Sequence, residues 1–331
     1  MRALLPTGFL AFRLPDKAVE MYTVNMLEGQ SDSRKPSFVV TSFNEERRRL
    51  YCHLNTPTDQ FIVDYFWDGA QVDETSKNHY LTMVEKAIAE IKNGILHKVV
   101  LSRNKHFTIG NDFDLEKAFL TLCEAYPHCF VCCVSTTEIG TWLGASPELI
   151  LRKTEDIIET FSLAGTKQVA DKTAWGEKEK EEQSIVTRYI LEVLKQNSLT
   201  SDIPYPTSEL YMGDLRHMVT HFKANIPDDF DEQKFLANLS PTPAVCGFPK
   251  AEAMQFILEN EDYFRYYYTG NWGIQSPSEL HLYVNLRCMQ LYKNKGILYA
   301  GAGITSDSDP QKEWLETEAK MKLLGNLLLG D

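Results

Sequence analysis

The sequence has no apolar run approaching the roughly 20 residues that a membrane-spanning helix requires. It also has no stretch rich in lysine and arginine, and its formal net charge at pH 7 is −12. Nucleic acid and anionic membranes are therefore poor partners for this chain. A small anionic substrate is still allowed, because electrostatic repulsion is screened beyond ~8 Å at physiological ionic strength and local cations decide binding.

Cysteine pairs at the spacing of a metal site or a redox motif are also missing. Of the seven cysteines, only the three within residues 129–133 lie close together, inside an apolar run, and no second pair is suitably placed to complete a zinc site. We therefore expect reduced cysteines in the core of a cytoplasmic protein. Residues 1–10 resemble a signal peptide only faintly, since proline and glycine interrupt them, and we expect no export.

The size and composition favour one folded unit with a large core. The chain has 331 residues, of which 43% are hydrophobic and 24% charged, and it contains neither an internal repeat nor a low-complexity linker. Wholesale disorder is excluded by this balance. We predict a single domain that spans residues 1–331.

Hydrophobic periodicity predicts helices and strands in an irregular order. Apolar residues recur at helical spacing from residue 80 to a stop at Gly94, and again within 174–196 and 309–329. Residues 98–103 are typical of a strand, and the clean alternation over 280–292 predicts one continuous strand. Long strands with helices interspersed irregularly indicate a mostly antiparallel α+β architecture.

Two of the predicted helices carry glutamates three residues apart. Glu179 and Glu182 lie in the helix over 174–196, with Glu182 at the edge of its core-facing stripe. Glu313 and Glu316 lie in the last helix and lead onto a leucine stripe. If the two pairs converge, they form an all-oxygen site suited to Mg²⁺. The spacing alone favours ordinary surface glutamates over a metal site.

Three further features each allow a structural and a functional reading. Lys98 opens an apolar strand, where it could extend to solvent or act inside the protein. Glu148 follows a tight turn and precedes an apolar strand, as either a turn carboxylate or an acid with a raised pKa. The glycine-containing segments 165–166 and 301–303 could be simple turns, or their backbone N–H groups could hold a carboxylate.

Several segments, in this order, resemble the chorismate-utilising enzymes, the family of isochorismate, salicylate, anthranilate and aminodeoxychorismate synthases. The resemblance covers residues 78–328, which we take as the catalytic core, with residues 1–77 as an amino-terminal part of the same fold. The segments that carry it are His97–Arg103, Leu143–Glu148, Leu163–Thr166, Lys178–Gln183, Pro241–Val245, Leu286–Cys288, Tyr299–Ile304 and Asp309–Glu316.

The resemblance implies a role for each candidate residue. It implies that Lys98 is the general base and Glu148 the general acid, so we expect burial or positive neighbours to favour neutral Lys98 and burial to raise the pKa of Glu148. It implies that Glu182 and Glu316 bind Mg²⁺ directly, with Glu179 and Glu313 acting through metal-bound water. The substrate-binding positions that it implies are Gly165, Thr166, His217, Ala244, Val245, Tyr268, Arg287, Gly301, Ala302 and Lys320. His217 is equally well read as a core histidine.

The family also implies a fold and a reaction. We expect two large, mostly antiparallel β-sheets packed face to face, with helices outside and the site between the sheets. Alanine at position 244 together with Lys98 resembles the branch that adds water to chorismate, which predicts an isochorismate synthase. We expect a monomer without a glutaminase subunit, acting in menaquinone or siderophore synthesis. Two alternatives stay open: a salicylate synthase, which also eliminates pyruvate, and a non-catalytic chorismate-binding subunit.

Overall fold

A computed structural model describes residues 8–27, 35–43, 49–64, 72–199, 206–213 and 215–329. Residues 1–7, which hold most of the segment that faintly resembles a signal peptide, lie outside this range. All seven cysteines are buried, and none of them forms a disulfide in the described part of the chain, which confirms the expectation of reduced core thiols. None of the described helices is long and apolar enough to cross a membrane.

Sixteen strands in the described part of the chain form one hydrogen-bonded sheet, in which each neighbouring pair is antiparallel. The order across the sheet is β10-β11-β9-β8-β14-β13-β3-β4-β2-β1-β6-β7-β15-β16-β5-β12. The strands are β1 Gly8–Arg13, β2 Glu20–Leu27, β3 Ser37–Thr41, β4 Arg49–Pro57, β5 Lys98–Thr108, β6 Phe130–Thr136, β7 Gly140–Ser146, β8 Leu149–Thr154, β9 Ile157–Gln168, β10 Ser208–Met212, β11 Leu215–Asn225, β12 Gly247–Phe248, β13 Asn271–Gln275, β14 Glu279–Val284, β15 Cys288–Leu291 and β16 Lys295–Ile304. The predicted antiparallel α+β class is confirmed.

The sheet folds over so that its two halves pack face to face. The ring of Phe130 in β6 stacks on Tyr283 in β14 with centroids 4.8 Å apart, and meets Trp272 in β13 edge-on at 6.0 Å. These rings belong to a core cluster that draws residues from both halves of the strand order. The predicted face-to-face packing is therefore present. The two layers are halves of one sheet, joined through β3, β4, β2 and β1 in the middle of the order.

Six helices cover the outer faces of the folded sheet in the described part of the chain. They are α1 Lys77–Lys92, α2 Leu115–Ala125, α3 Glu177–Gln196, α4 Glu232–Leu239, α5 Lys250–Asn260 and α6 Pro310–Leu329. Helices α3 and α4 pack on the β8–β9–β11 half, whereas α2 and α6 pack on β6, β7 and β16. Helices α1 and α5 share a cluster with β5.

The local signals for these helices come from their ends and their apolar stripes. The side chain of Ser76 accepts a hydrogen bond from the amide of His79 (3.2 Å) and caps α1, and Gly94, with φ of +79°, follows the helix end. Helix α6 begins at Pro310, behind the Asp309 carboxylate that accepts from the amide of Lys312 (2.9 Å). The predicted starts and stops of both helices are confirmed to within a few residues.

The prediction of one continuous strand over residues 280–292 is wrong. Strand β14 ends at Val284 and β15 begins at Cys288, and Arg287 between them has φ of +46°. The physical reason is topological: β14 pairs with β8 and β13 in one half of the sheet, whereas β15 pairs with β7 and β16 in the other. The chain therefore crosses between the halves at residues 285–287.

Candidate active site

A second crossing lies next to the first and places a carboxyl group in the same cleft. Strand β7 belongs to one half of the sheet and β8 to the other, and the turn between them carries Glu148. The two crossings are hydrogen-bonded together: the amide of Val284 donates to the carbonyl of Glu148 (2.9 Å), and the amide of Ala145 donates to that of Arg287 (3.1 Å). An acid and a cation thus both line the cleft where the two layers join.

The cleft is a cavity of about 770 Å³, including the part that is open to solvent. Thirteen of the sixteen predicted site residues line it: Lys98, Glu148, Gly165, Thr166, Glu182, His217, Ala244, Val245, Tyr268, Arg287, Gly301, Glu316 and Lys320. The other three, Glu179, Ala302 and Glu313, do not.

Glu148 is a buried carboxyl group with few polar partners. It is 2% exposed, and its Oε1 accepts a long hydrogen bond from the hydroxyl of Thr242 (3.4 Å). Burial raises the pKa of Glu148 to about 8, against the opposing effects of Lys98 and Thr242. The expected rise is confirmed, and the group can hold a proton at neutral pH.

Lys98 lies at the first position of β5 and is turned inward. It is 1% exposed, so the alternative of a lysine that extends to solvent is wrong. Its Nζ lies 3.7 Å from Oε2 of Glu182. A Cβ atom added to Gly303 would lie 3.0 Å from Cε of Lys98 and 3.2 Å from Oε2 of Glu182. Glycine at position 303 therefore leaves room for this pair.

Two further cations, Lys320 and Arg287, line the cavity. Lys320 in α6 donates to the carbonyl of Gly301 (2.8 Å) and pairs with Glu316 one helical turn earlier (2.6 Å). Arg287 enters from the crossing between β14 and β15, and burial lowers its pKa without removing its charge at neutral pH. Burial acts to raise the pKa of Glu316, but Lys320, Lys178 and Arg287 outweigh it and hold that pKa below its usual value. The two cations suit an anionic group.

His217 and Thr166 face each other on neighbouring strands. They are register partners in β11 and β9, and the Thr166 hydroxyl lies 3.0 Å from Nδ1 of His217. The other ring nitrogen, Nε2, is buried and has no hydrogen-bond partner among the described residues. Burial, with positive charge from Arg287 and Lys320, lowers the pKa of His217 to about 3. The imidazole is therefore neutral, with one polar atom free beside the cavity.

The glutamates of α3 and α6 divide into two groups. Glu182 and Glu316 line the cavity, and Glu313, which is 1% exposed, pairs with Lys178 (2.6 Å). Lys178 also lies 3.9 Å from Glu182, so it stands between the two helices. Within the described ranges, no three His, Cys, Asp or Glu side chains come close enough to form a ready-made metal cage.

The side chains of two predicted site residues, Glu179 and Ala302, do not have the roles that we expected. The Glu179 carboxylate accepts from the amide of Gly176 (2.8 Å) and so caps the start of α3. Ala302 is 1% exposed and alternates with Gly301 and Gly303, both of which face the cavity, so its side chain points away. Neither side chain lines the cavity.

The sequence did not predict the contacts that three residues make at or beside the site. Thr242 lies between two prolines in the segment Pro241–Val245, and its hydroxyl contacts Glu148. The position of this hydroxyl between the prolines was the one signal in the sequence that could have indicated it. Lys178 lies four residues before Glu182, a spacing that brings side chains together on a helix. Gly303 is the third residue of the Gly-Ala-Gly segment, and strand alternation alone would have placed it beside Gly301.

Comparison with known proteins gives consistent results. The family model described as chorismate binding enzyme matches residues 16–329. The isochorismate synthase EntC of Escherichia coli (strain K12) is 32% identical over 256 residues, which are 74% of this chain and 66% of that protein. The isochorismate synthase MenF of the same strain is 29% identical over 83% of this chain and 63% of its own length. The chain thus spans about two thirds of the length of these relatives.

Solved structures share the fold over nearly the whole chain. The structure of DhbC from Bacillus anthracis superimposes with a TM-score of 0.80 at 23% identity and covers 98% of this chain and 97% of its own. The structure of MenF from Escherichia coli superimposes with a TM-score of 0.79 at 19% identity, over 97% of this chain and 88% of its own. At these identities the structural likeness establishes the fold.

Proposed function

Because this chain belongs to the chorismate binding enzyme family, we propose that it is an isochorismate synthase, an isomerase that converts chorismate to isochorismate. The observation that carries the proposal is a buried acid, Glu148, whose pKa burial raises to about 8, in one cavity with the buried amine Lys98. The names of EntC and MenF support the same reaction. The buried acid and base argue against the alternative of a non-catalytic binding subunit.

The reaction requires one group to take a proton and another to give one. Water adds to ring carbon 2, the hydroxyl on carbon 4 leaves, and the ring double bonds shift between them. Lys98 takes a proton from the attacking water. Glu148 gives its proton to the departing hydroxyl, which leaves as water, since hydroxide is a poor leaving group. A carboxyl group with a pKa of about 8 holds this proton at neutral pH.

The substrate is a dianion, and we propose that Arg287 and Lys320 hold its enolpyruvyl carboxylate. Arg287 can contact a carboxylate with two parallel N–H groups, a geometry that lysine does not offer. Lys320, fixed by Glu316 and the carbonyl of Gly301, adds a second positive charge. Neutral His217 in β11 and Thr166 in β9 also line the cavity, where the free Nε2 of His217 can hydrogen-bond a ring substituent.

We propose Mg²⁺ as the cofactor, held directly by Glu182 and Glu316 and through water by Glu313. The residues fit a hard cation, because Oε2 of Glu313 is buried without a hydrogen-bond partner among the described residues and the donors are all carboxylate oxygens. When bound, Mg²⁺ supplies a divalent charge that attracts the ring carboxylate of the substrate. The carboxylate of Glu179 contributes to this site by capping the start of α3 rather than by holding the metal.

We also propose a nucleophile, a pathway and an oligomeric state for this protein. Ala244 and Val245 line the cavity with small apolar side chains, and we propose that they favour water as the nucleophile, so no glutaminase subunit is needed. The product would enter menaquinone or siderophore synthesis. We propose a monomeric protein that acts in the cytoplasm.

The test is to identify the products made from chorismate by the purified protein with Mg²⁺, by chromatography and mass. Isochorismate is the expected product. Salicylate together with pyruvate would instead make the protein a salicylate synthase. Unchanged chorismate, with the bound substrate recovered intact, would contradict the enzymatic proposal. The Lys98→Ala variant is the control, since a product that it still forms does not come from this site.

A further inference from the structure

Lys178 stands between the carboxylates that we assign to the metal. Its Nζ pairs with Oε1 of Glu313 at 2.6 Å, across from α3 to α6, and lies 3.9 Å from Oε1 of Glu182 on its own helix. Its side chain is 31% exposed, so it has a way out to solvent. The ammonium group thus contacts carboxylates from both helices.

The remaining charges around this point show why a cation is needed there. Glu313 has a nearly inaccessible side chain, and Glu316 lies near enough to repel it and raise its pKa, as burial does. Glu182 is shared, with Lys98 at Oε2 and Lys178 at Oε1. Glu316 has its own partner, Lys320. Without Lys178, the Glu313 carboxylate would have no positive partner at hydrogen-bond distance among the described residues.

We propose that Lys178 is a built-in counter-cation of the metal site, which bridges Glu313 and Glu182 until Mg²⁺ displaces its ammonium group. The inference rests on the metal part of the proposed function and adds a residue that sets metal affinity. The ammonium group and Mg²⁺ both require the negative charge of Glu313 and Glu182, so binding of the metal competes with the pairs that Lys178 forms with their Oε1 atoms. Lys178 therefore stabilises the metal-free protein and weakens its affinity for Mg²⁺.

Lys180 provides a matched control on the same helix. It is exposed, and its partner Glu177 is exposed as well, with the two 2.9 Å apart on the outer side of α3. Replacing either lysine by methionine removes one positive charge from the same helix. Only the change at position 178 removes a cation from the carboxylates of the site. A general effect of net charge on Mg²⁺ binding would appear in both variants.

The experiment is titration of each purified protein with Mg²⁺ alone in a calorimeter, with thermal unfolding measured in parallel. We expect the Kd of Lys178→Met for Mg²⁺ to fall at least tenfold below that of the wild type, which corresponds to about 1.4 kcal/mol. We expect Lys180→Met to stay within about twofold of the wild type, well under that free-energy difference. Metal-free Lys178→Met should unfold at a lower temperature, and Mg²⁺ should raise its Tm by more than it raises that of the wild type.

An unchanged or weaker affinity in Lys178→Met, or an equal gain in Lys180→Met, would overturn the inference. If Lys178→Met folds only with Mg²⁺ and unfolds when the metal is chelated, that result supports it. Lys178→Arg, which keeps the charge, should then keep the affinity of the wild type. Failure of all variants to bind Mg²⁺ would contradict both this inference and the proposed cofactor. The product assay is a separate experiment. If the protein makes no isochorismate but Lys178→Met still binds Mg²⁺ tenfold more tightly than the wild type, only the proposed activity is contradicted.

Discussion

Replacing Glu148 by glutamine should make the protein more stable at alkaline pH while it removes the activity. Glu148 is buried, and the folded protein raises its pKa from 4.5 to about 8. A carboxyl group with a raised pKa favours the folded state when protonated and disfavours it when ionised. Its contribution to stability is therefore greatest below about pH 4.5 and is lost as the pH rises to about 8.

The size of the effect follows from the two pKa values. Each pH unit between them corresponds to 1.36 kcal/mol, so the ionised carboxylate lowers the free energy of unfolding by up to about 5 kcal/mol above pH 8. At pH 5 the carboxyl group in the folded protein is still protonated, and the loss is about 1 kcal/mol. Glutamine has the same shape and no charge. The stability of Glu148→Gln relative to the wild type should therefore rise by about 4 kcal/mol between pH 5 and pH 9.

Urea unfolding of both proteins at pH 5 and pH 9 measures this difference. The pH-independent effects of the substitution, such as a changed hydrogen bond with Thr242, cancel in the comparison. Glu85→Gln on the exposed side of α1 is the control and should show no such rise. If the stability difference between Glu148→Gln and the wild type is the same at both pH values, Glu148 does not carry a raised pKa, and its assignment as the acid loses its basis.

Three further outcomes are expected. Lys98→Ala should abolish turnover and leave Mg²⁺ binding in place, measured by product formation and calorimetry; retention of most of the rate would end its assignment as the base. The kcat of the wild type should fall as the pH rises past about 8, because Glu148 loses the proton that it must give, and a kcat that keeps rising there would contradict this. Gly303→Ala would place a methyl group 3.0 Å from Lys98 and 3.2 Å from Glu182, and should lower kcat at least tenfold with little loss of stability; an unchanged kcat would show that the space is not needed.

The sequence predicted the elements well where a local signal existed. Helix α6 begins at Pro310 as its cap predicts, and α3 buries the stripe of Ile185, Val186, Ile190 and Val193. It failed over residues 280–292, where alternation continues through two strands in opposite halves of the sheet. Period-2 alternation reports only burial on one face, and it carries no information about which strand is the neighbour.

At the site, the sequence predicted which residues line the cavity but not which side chains contact each other. Matching segments from distant parts of the chain predicted thirteen residues that do line one cavity. The contacts between side chains were not predictable in this way: Lys178 between two glutamates, and the use of Glu179 as a helix cap, depend on how α3 and α6 approach each other. The division into a core over 78–328 and an amino-terminal part stays a prediction, although β1 to β4 connect the two halves of the sheet.

Turnover of chorismate in ¹⁸O-labelled water tests most directly whether the buried acid and base exchange a ring hydroxyl with water. We expect isochorismate that carries one solvent oxygen, on ring carbon 2, with no label in the two carboxylates. Isochorismate without the label would contradict this expectation, because the hydroxyl would then have migrated without the attack of water that Lys98 is proposed to assist.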